Sequence, residues 1–430
     1  MVAEDFVGTV RSYVESTDVE PLRREEYAVF ERLGLPTVRH EEWKYTNLLP
    51  RLTPALQIPT STSHAEVDET IRQATERFGF TAHQIVLVNG VLAPSLSSLP
   101  DGVTVVPSLT SASPRDAELI HAASASRSQD HAIAALGAAL APNVVVVRVA
   151  KDTALTMPLH VVRVIDARNG APLTSTRMVV DVEEFASVDI IDTVTTIGES
   201  ATFSPNVLDI TVHPEAKASW TLVVDDTQAS ANISYATAHV HRSAVFTSNT
   251  FCLGGGFVRN DLVIRLVGQQ AEAYLNGLSV LHDAEFADNH TVVDHAVPHC
   301  HSDELYKGVY DGTSTGVFNG KIFVRKDAQK TLAYQSNRSL LLSSGANINA
   351  KPQLEIFADD VKCSHGATMG QLDDEAMFYL RSRGIGENDA RAILTYAFAA
   401  DIIERVSNAE VRTYLTARLA ERLGSEMLSA

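Results

Sequence analysis

The sequence predicts a mainly β protein, with a long strand-rich middle between helical segments at the two ends. Three observations predict it. From about residue 141 to 362, strand-like pieces of five to eight residues follow one another with almost no helical period. Asp, Asn, Gly and Pro punctuate these pieces, as turns between strands require. Helical periodicity is confined to the stretch before Ala141 and to the stretch beyond Gln371. The chain therefore divides into an N-terminal mixed and helical region (1–140), a β core (141–370) and a C-terminal helical region (371–430).

In the first region, Leu22, Tyr27, Phe30 and Leu33 are apolar with charges between them, which predicts a helix over Pro21–Leu33 ending at Gly34 and Pro36. Further helices are predicted over His64–Phe78 and Asp116–Leu140. Between them, Gln84–Leu92 reads as a β-hairpin with Asn89-Gly90 at its turn, a pair that tolerates the positive φ such turns need. The segment His40–Leu48 is unusually aromatic and carries Trp43, one of two tryptophans.

In the core, predicted strands include Val144–Val149, His160–Ile165, Met178–Val182, Val188–Ile191, Trp220–Val224, Val245–Phe251, Leu262–Val267 and Lys321–Val324. A small residue one or two positions before an aromatic recurs at Ser219-Trp220, Ala244-Val245-Phe246 and Ala273-Tyr274, so the aromatics follow one another at nearly equal intervals. Such spacing is what successive coils of a solenoid produce. Val317-Phe318 and Ala333-Tyr334 break it, and a β-sandwich or cupin-like barrel gives many of the same local signals. From residue patterns alone, the β architecture stays open.

Beyond Gln371, Leu372, Ala376 and Phe378–Leu380 lead to the stop Arg383-Gly384-Ile385-Gly386. Asn388 is the expected N-cap of a long helix striped with Ile393, Leu394, Tyr396, Phe398 and Ile402-Ile403. A last helix is predicted over Asn408–Leu423. Helices appended to a β domain serve as core or as docking surfaces.

Composition bounds the function. Hydrophobic content of 45% and charged content of 20% are those of an ordinary globular protein. A net charge of −18 argues against a nucleic-acid partner, which calls for a basic stripe. Cys252, Cys300 and Cys363 are odd in number and far apart, so no disulfide framework is implied. The N-terminus has neither a basic stretch nor a long apolar one, and the apolar run Val144–Val147, broken by Arg148, is too short to span a bilayer. A cytoplasmic protein without a membrane partner is expected.

Four features could carry chemistry. Residues 359–370 place Cys363 two positions from His365, where the strands give way to helices. Thiolate and imidazole together suit zinc, iron or iron–sulfur chemistry, and Gly366 lets the backbone turn beside them. The same residues also fit a strand end with an inert thiol and a surface histidine. Gly316-Val-Phe-Asn-Gly320-Lys321-Ile322 falls short of a phosphate loop by one residue between the glycines and by the Ser or Thr after the lysine, so nucleotide hydrolysis is not expected of this chain. Gly254-Gly255-Gly256 lacks dinucleotide-binding spacing and reads as a loop. His282, His290, His295, His299 and His301, five of the fifteen histidines, crowd into one short segment among Asp283, Asp288, Asp294, Cys300 and Asp303. With His239 and His241 they fit a β-solenoid or cupin-like metalloenzyme built on His239, His241, His299 and His301. They fit equally well a set of turn caps on alternating strand faces.

Taken together, several motifs resemble a known family. Asp294-His-Ala-Val-Pro-His-Cys-His-Ser302 followed by Glu304-Leu-Tyr-Lys-Gly308 resembles the central motif of the SufB/SufD family of iron–sulfur cluster assembly proteins. So do Gly316–Ile322, Gln335–Leu342 and Lys362-Cys-Ser-His-Gly-Ala-Thr368, and the likeness runs through Asp373–Leu380 and Arg383–Gly386 to Ile402. Glu41-Glu-Trp-Lys-Tyr-Thr46 is similar to the amino-terminal signature of the SufD branch. The resemblance covers nearly the whole chain and is most specific over residues 282–405. SufB-type chains carry a scaffold cysteine a few residues before the proline that matches Pro352. Here Ser344–Pro352 has none and no cysteine precedes Cys252, which places the resemblance on the SufD side.

That resemblance implies a right-handed parallel β-helix core flanked by N-terminal and C-terminal helical domains. It implies a non-catalytic subunit of an assembly complex, with a SufB-type scaffold as partner through the β-helix core and a SufC-type ATPase through the C-terminal helices. By the same resemblance, His365 is the position tied to the SufB interface, with Cys363 its companion, where iron enters and a cluster forms. Iron or a cluster would be held transiently in the complex, and none tightly by the isolated chain. The isolated chain is a possible homodimer through the surface that would otherwise meet SufB.

Overall fold

The computed structural model describes residues 2–16, 21–53, 55–59, 67–106, 111–126 and 130–424. Its centre is a β-solenoid. The chain lays one strand in a nine-stranded sheet, turns, lays the next in a ten-stranded sheet, and turns back. Parallel neighbours in each sheet thus come from successive coils, and the opposite sheet supplies the crossover that parallel strands require. Lys217 stands opposite Val245, Val245 opposite Glu272 and Glu272 opposite His301, so the chain advances by nearly the same length with each coil.

The aromatic recurrence therefore reported the correct coil length, but from residues in different columns. Trp220 stands opposite Ser248 and Phe246 opposite Ala273. The spacing breaks at Phe318 because that residue lies in the nine-stranded sheet. Tyr334 rejoins the column of Tyr274 two coils later, through Asp303. The barrel and sandwich alternatives fall with this register, since the long strands pair in parallel at coil distance.

Seven of the eight predicted strands lie within observed ones, Val144–Val149 without change, and the eighth, Leu262–Val267, runs one residue past the observed end at Leu266. Where both faces are covered, the strands are mostly apolar rather than alternating, as Val144–Val149 and Leu159–Asp166 are despite Arg148, His160 and Arg163. The lumen between the sheets is packed with Val180, Ile210, Leu222, Phe246, Ile264 and Leu275, among others. Towards the C-terminal end the outer faces are uncovered, and the strand Leu332–Leu341 alternates exposed and buried residues. The predicted hairpin is present: Leu87 pairs with Leu92 and Val88 with Val91, with Asn89 and Gly90 at φ 49° and 82°. Its strand His83–Val88 continues the ten-stranded sheet beside Leu159–Asp166, and Val103–Val106 closes the nine-stranded one.

Eight α-helices lie among the described residues: α1 Val2–Ser16, α2 Pro21–Leu33, α3 Glu69–Glu76, α4 Pro114–Ser126, α5 Ala132–Leu140, α6 Asp374–Ser382, α7 Glu387–Glu404 and α8 Ala409–Arg422. Helices α1, α2 and α5 cover the nine-stranded sheet, packing Phe6, Val10, Phe30 and Leu136 against Phe203 and Ile233. Helices α3, α7 and α8 cover the ten-stranded sheet, where Ile71, Ile402, Leu415 and Leu419 meet Val162, Val223 and Leu278. Asp225 ties three regions together: Arg77, Tyr414 and Arg418 all hydrogen-bond its carboxylate.

Several predicted helix bounds are corrected. The stretch Asp116–Leu140 is two helices, α4 and α5, with residues 127–129 outside the described residues. His131 caps α5 by accepting from the Ala134 amide through Nδ1. Of the predicted helix His64–Phe78, residues 64–66 lie outside the described residues, and α3 starts behind Asp68, which accepts from the Ile71 amide. Asn388 is not the N-cap of α7: that helix begins at Glu387 behind Gly386, which offers no side-chain bond. Asn408 does cap α8, accepting from the Val411 amide. Helix α1 was not expected, although Phe6, Val10 and Val14 recur one helical turn apart on its buried face.

Candidate functional site

His365 and Cys363 lie on Lys362–Gly370, the last strand of the solenoid, which among the described residues pairs only with Leu332–Leu341. Two positions apart on a strand, their side chains share a face, separated by about 6.6 Å of rise. Their register partners are Gln335 and Ala333, both buried, so this is the face turned towards the lumen. Cys363 is half-buried against Ile322, Val324, Ala328, Ala333 and Ala358. Burial pushes its thiol pKa up, an amide contact from Ala333 opposing, so the thiol is neutral near pH 7. His365 is exposed, because no further coil among the described residues covers it.

The two sheets end together here. Asn347–Ile356 pairs only with Thr315–Val324, so among the described residues it and Lys362–Gly370 each leave one edge without a partner strand. Such an edge presents a row of free N–H and C=O groups that favours association. Around it are the exposed apolar residues Phe357 and Met369, 57% and 64% accessible, and on α6 Phe378, 75% accessible. Helix α6 buries none of its residues. A groove of about 770 Å³ separates it from the strand end Leu341–Leu342 and the start of α7.

Behind His365 the lumen turns polar. Glu304 and Gln335 are 2% and 3% exposed. Gln335 Nε2 donates to Glu304 Oε2 at 2.7 Å, and Thr291 Oγ1 donates to Glu304 Oε1 from the opposite sheet. Burial pushes the Glu304 carboxyl up to about 7, against the pull of those two donors. Both residues appear at the edges of the motifs read in the sequence, but no role was expected of them. Their signal was a polar pair one coil apart at inward positions.

The crowded histidines do not converge. His290 lies on the outer face of the nine-stranded sheet, its Nε2 3.0 Å from Asp288 and its Nδ1 3.5 Å from Glu42. Burial and the nearby Arg259 lower this imidazole's pKa, but Asp288 and Glu42 together outweigh them and leave it raised. His295 is buried, bonds Ser302 Oγ at 2.9 Å and is pushed down to about 4 by burial. His299 occupies a turn at φ 64°, and His301 packs edge-on to Tyr274 and Tyr334. His239 contacts Arg265, while His241 stacks on His213 at 5.3 Å. Among the described residues no three His, Cys, Asp or Glu side chains gather as a metal set, so the metalloenzyme arrangement of His239, His241, His299 and His301 is not formed. Cys252 and Cys300 are buried, their thiols raised by burial to about 12 and about 11.

The aromatic segment around Trp43 is a clasp across successive coils. Trp43 lies under Arg259, Thr46 donates to Asp288, Glu42 accepts from Asn319, and Glu41 pairs with Lys351. Asp261, His290, Asn319 and Lys351 form one column of the outer face. Beside it lies a cavity of about 460 Å³ lined by Trp43, His131, Tyr235 and Lys321, among others. No described helix is long and apolar enough to cross a membrane.

Comparison with known proteins agrees with the motifs. The profile of the SUF system FeS cluster assembly SufBD core domain matches residues 164–398, and that of the SufBD N-terminal region matches residues 11–161. The chain is similar to the iron–sulfur cluster assembly protein SufD of Escherichia coli, 29% identical over 95% of this chain and 94% of that one. It is also 29% identical to a SufBD family iron–sulfur cluster assembly protein of Synechocystis, over 88% of this chain and 86% of the relative. With the chloroplastic protein ABCI7 of Arabidopsis thaliana it shares 30% identity over 63% of this chain and 59% of the relative.

Proposed function

Because this chain belongs to the SufBD family of iron–sulfur cluster assembly proteins, we propose that it is a non-catalytic assembly subunit whose open solenoid end meets a SufB-type scaffold. In this reading iron enters, and a cluster forms, at that junction, with iron and cluster as cargo. His365 supplies a ligand from this side and Cys363 a second, weaker one. One imidazole and one thiol cannot complete the four-ligand set an iron–sulfur cluster needs. The partner's side chains supply the rest, and movement of the junction releases the product.

The observation that carries this reading is the position of His365: exposed, on the last strand of the solenoid, two positions from a thiol on the same face. Burial keeps the Cys363 thiol neutral, which ranks it below the imidazole as a ligand in the isolated chain. A SufC-type ATPase docks on the C-terminal helices, and the groove beside α6 with the uncovered Phe378 and Tyr379 supports that placement. ATP hydrolysis belongs to that partner, in keeping with the missing phosphate loop. The complex works in the cytoplasm.

The test is to co-express the chain with its scaffold and ATPase partners, purify the complex, and measure iron and acid-labile sulfide. His365→Ala is expected to leave the complex assembled and to abolish cluster formation. Unchanged iron and cluster yield in that variant complex overturns the reading.

A further inference from the structure

The ladder that ends at His365 runs Ser248, Leu275, Glu304, Gln335, His365 through successive coils of the ten-stranded sheet. Leu275 belongs to the apolar core, and beyond it the last three layers of the column are all polar. A buried carboxyl is costly unless donors meet it. Glu304 is met by two, and in meeting it Gln335 turns its amide nitrogen away from the open end of the column. The Gln335 Oε1 atom is buried and has no hydrogen-bond partner among the described residues. Orphaned buried acceptors of this kind call for an explanation.

The next layer provides one. Neighbouring strands lie about 4.8 Å apart, within reach of one hydrogen bond between side chains that lean together. His365 is the register partner of Gln335, exposed and free to turn, whereas Gln335 is packed in place. Imidazoles that bind metals generally have their second ring nitrogen held by an acceptor, which selects the tautomer and aims the first.

We infer that Gln335 is a positioning residue for His365: its Oε1 accepts the N–H of one ring nitrogen, leaving the other unprotonated and aimed out of the solenoid. Glu304 keeps the amide the right way round. The inference rests on the reading of His365 as a ligand for the use of the aimed nitrogen, and on the column alone for the aiming.

Long-range proton–nitrogen NMR of the full chain with labelled histidine tests it, the His365 signals being assigned by their loss in His365→Ala. At a pH where the ring is neutral, His365 is expected to show one tautomer in the wild type. It is expected to show a mixture in Gln335→Ala and in Glu304→Leu, and one tautomer again in Glu304→Gln, which keeps the acceptor. A tautomer mixture in the wild type overturns the inference without any variant, and so does a single tautomer that survives Gln335→Ala. In the assembled complex, Gln335→Ala is expected to weaken iron retention by roughly 10–100-fold. If His365→Ala spared cluster formation while the tautomer still followed Gln335, the ligand reading would fail and the positioning would stand.

Discussion

The guanidinium of Arg259 lies 3.8 Å from the centre of the Trp43 ring, between a solenoid coil and the segment that crosses it. Arg259 is fully buried, donates two bonds to Asp261 and one to Asp288, and a further one to the Glu42 carbonyl. It is the point where the N-terminal region is bolted to the core.

Removing it deprives two buried carboxylates, Asp261 and Asp288, of their guanidinium partner. Arg259→Ala is expected to destabilise the protein by about 3–5 kcal/mol. Arg259→Lys should recover little, because a point charge cannot reproduce the planar fork or its stacking on Trp43. Urea unfolding of both variants checks this; a loss below about 1 kcal/mol for Arg259→Ala would mean that the clasp is held elsewhere.

Asp225 plays the corresponding part for the C-terminal helices. Its carboxylate is buried and receives Arg77, Arg418 and Tyr414 from outside the solenoid. Asp225→Ala should loosen α8 first, so proteolysis and hydrogen exchange over Ala409–Arg422 are expected to rise before the core strands open. Uniform exchange across helix and core would contradict this order.

Cys363 and His365 should separate in the assembled complex. Cys363→Ser keeps the half-buried side chain's size and removes the soft ligand, and is expected to lower cluster yield only partly. His365→Ala should lower it to background. Equal losses measured by iron and sulfide content would show that the thiol carries as much of the binding as the imidazole.

The buried Glu304 carboxyl makes stability depend on pH. Its pKa is raised from 4.5 to about 7 in the folded chain, so between those values the folded state holds a proton that the unfolded state has released. The unfolded state then binds fewer protons, and stability falls as pH rises through that window, by up to about 1.4 kcal/mol per pH unit. Glu304→Gln removes the ionisation and should flatten this part of the curve. Denaturant midpoints at pH 5 and pH 8, compared between wild type and variant, decide it; parallel curves would place the ionisation on another group.

Much of the fold was legible because it depends on local periods. Alternating and continuous apolar runs marked the strands, and Asn89-Gly90 marked a turn that needs positive φ at both positions. Caps at Asp68 and His131 were not read, since capping depends on where the chain enters a helix, and the long stretch Asp116–Leu140 concealed a break for the same reason. The histidine crowding misled: residues close in sequence were dealt to two sheets, two faces and a turn.

By itself the sequence determined a strand-rich middle between helical ends, the family motifs, and the two-residue spacing that puts Cys363 and His365 on one strand face. These follow from spacing along the chain. Only the tertiary structure decided that the face turns towards the lumen at an uncovered end, and that Glu304 and Gln335 stand behind it. Column partners lie about one coil apart, and turns of changing length set which residues meet. The step along the chain from Glu304 to Gln335 is longer than the step from Val245 to Glu272, and the step from Gln335 to His365 falls between them. No fixed sequence period predicts that register; the packing of side chains in the lumen does.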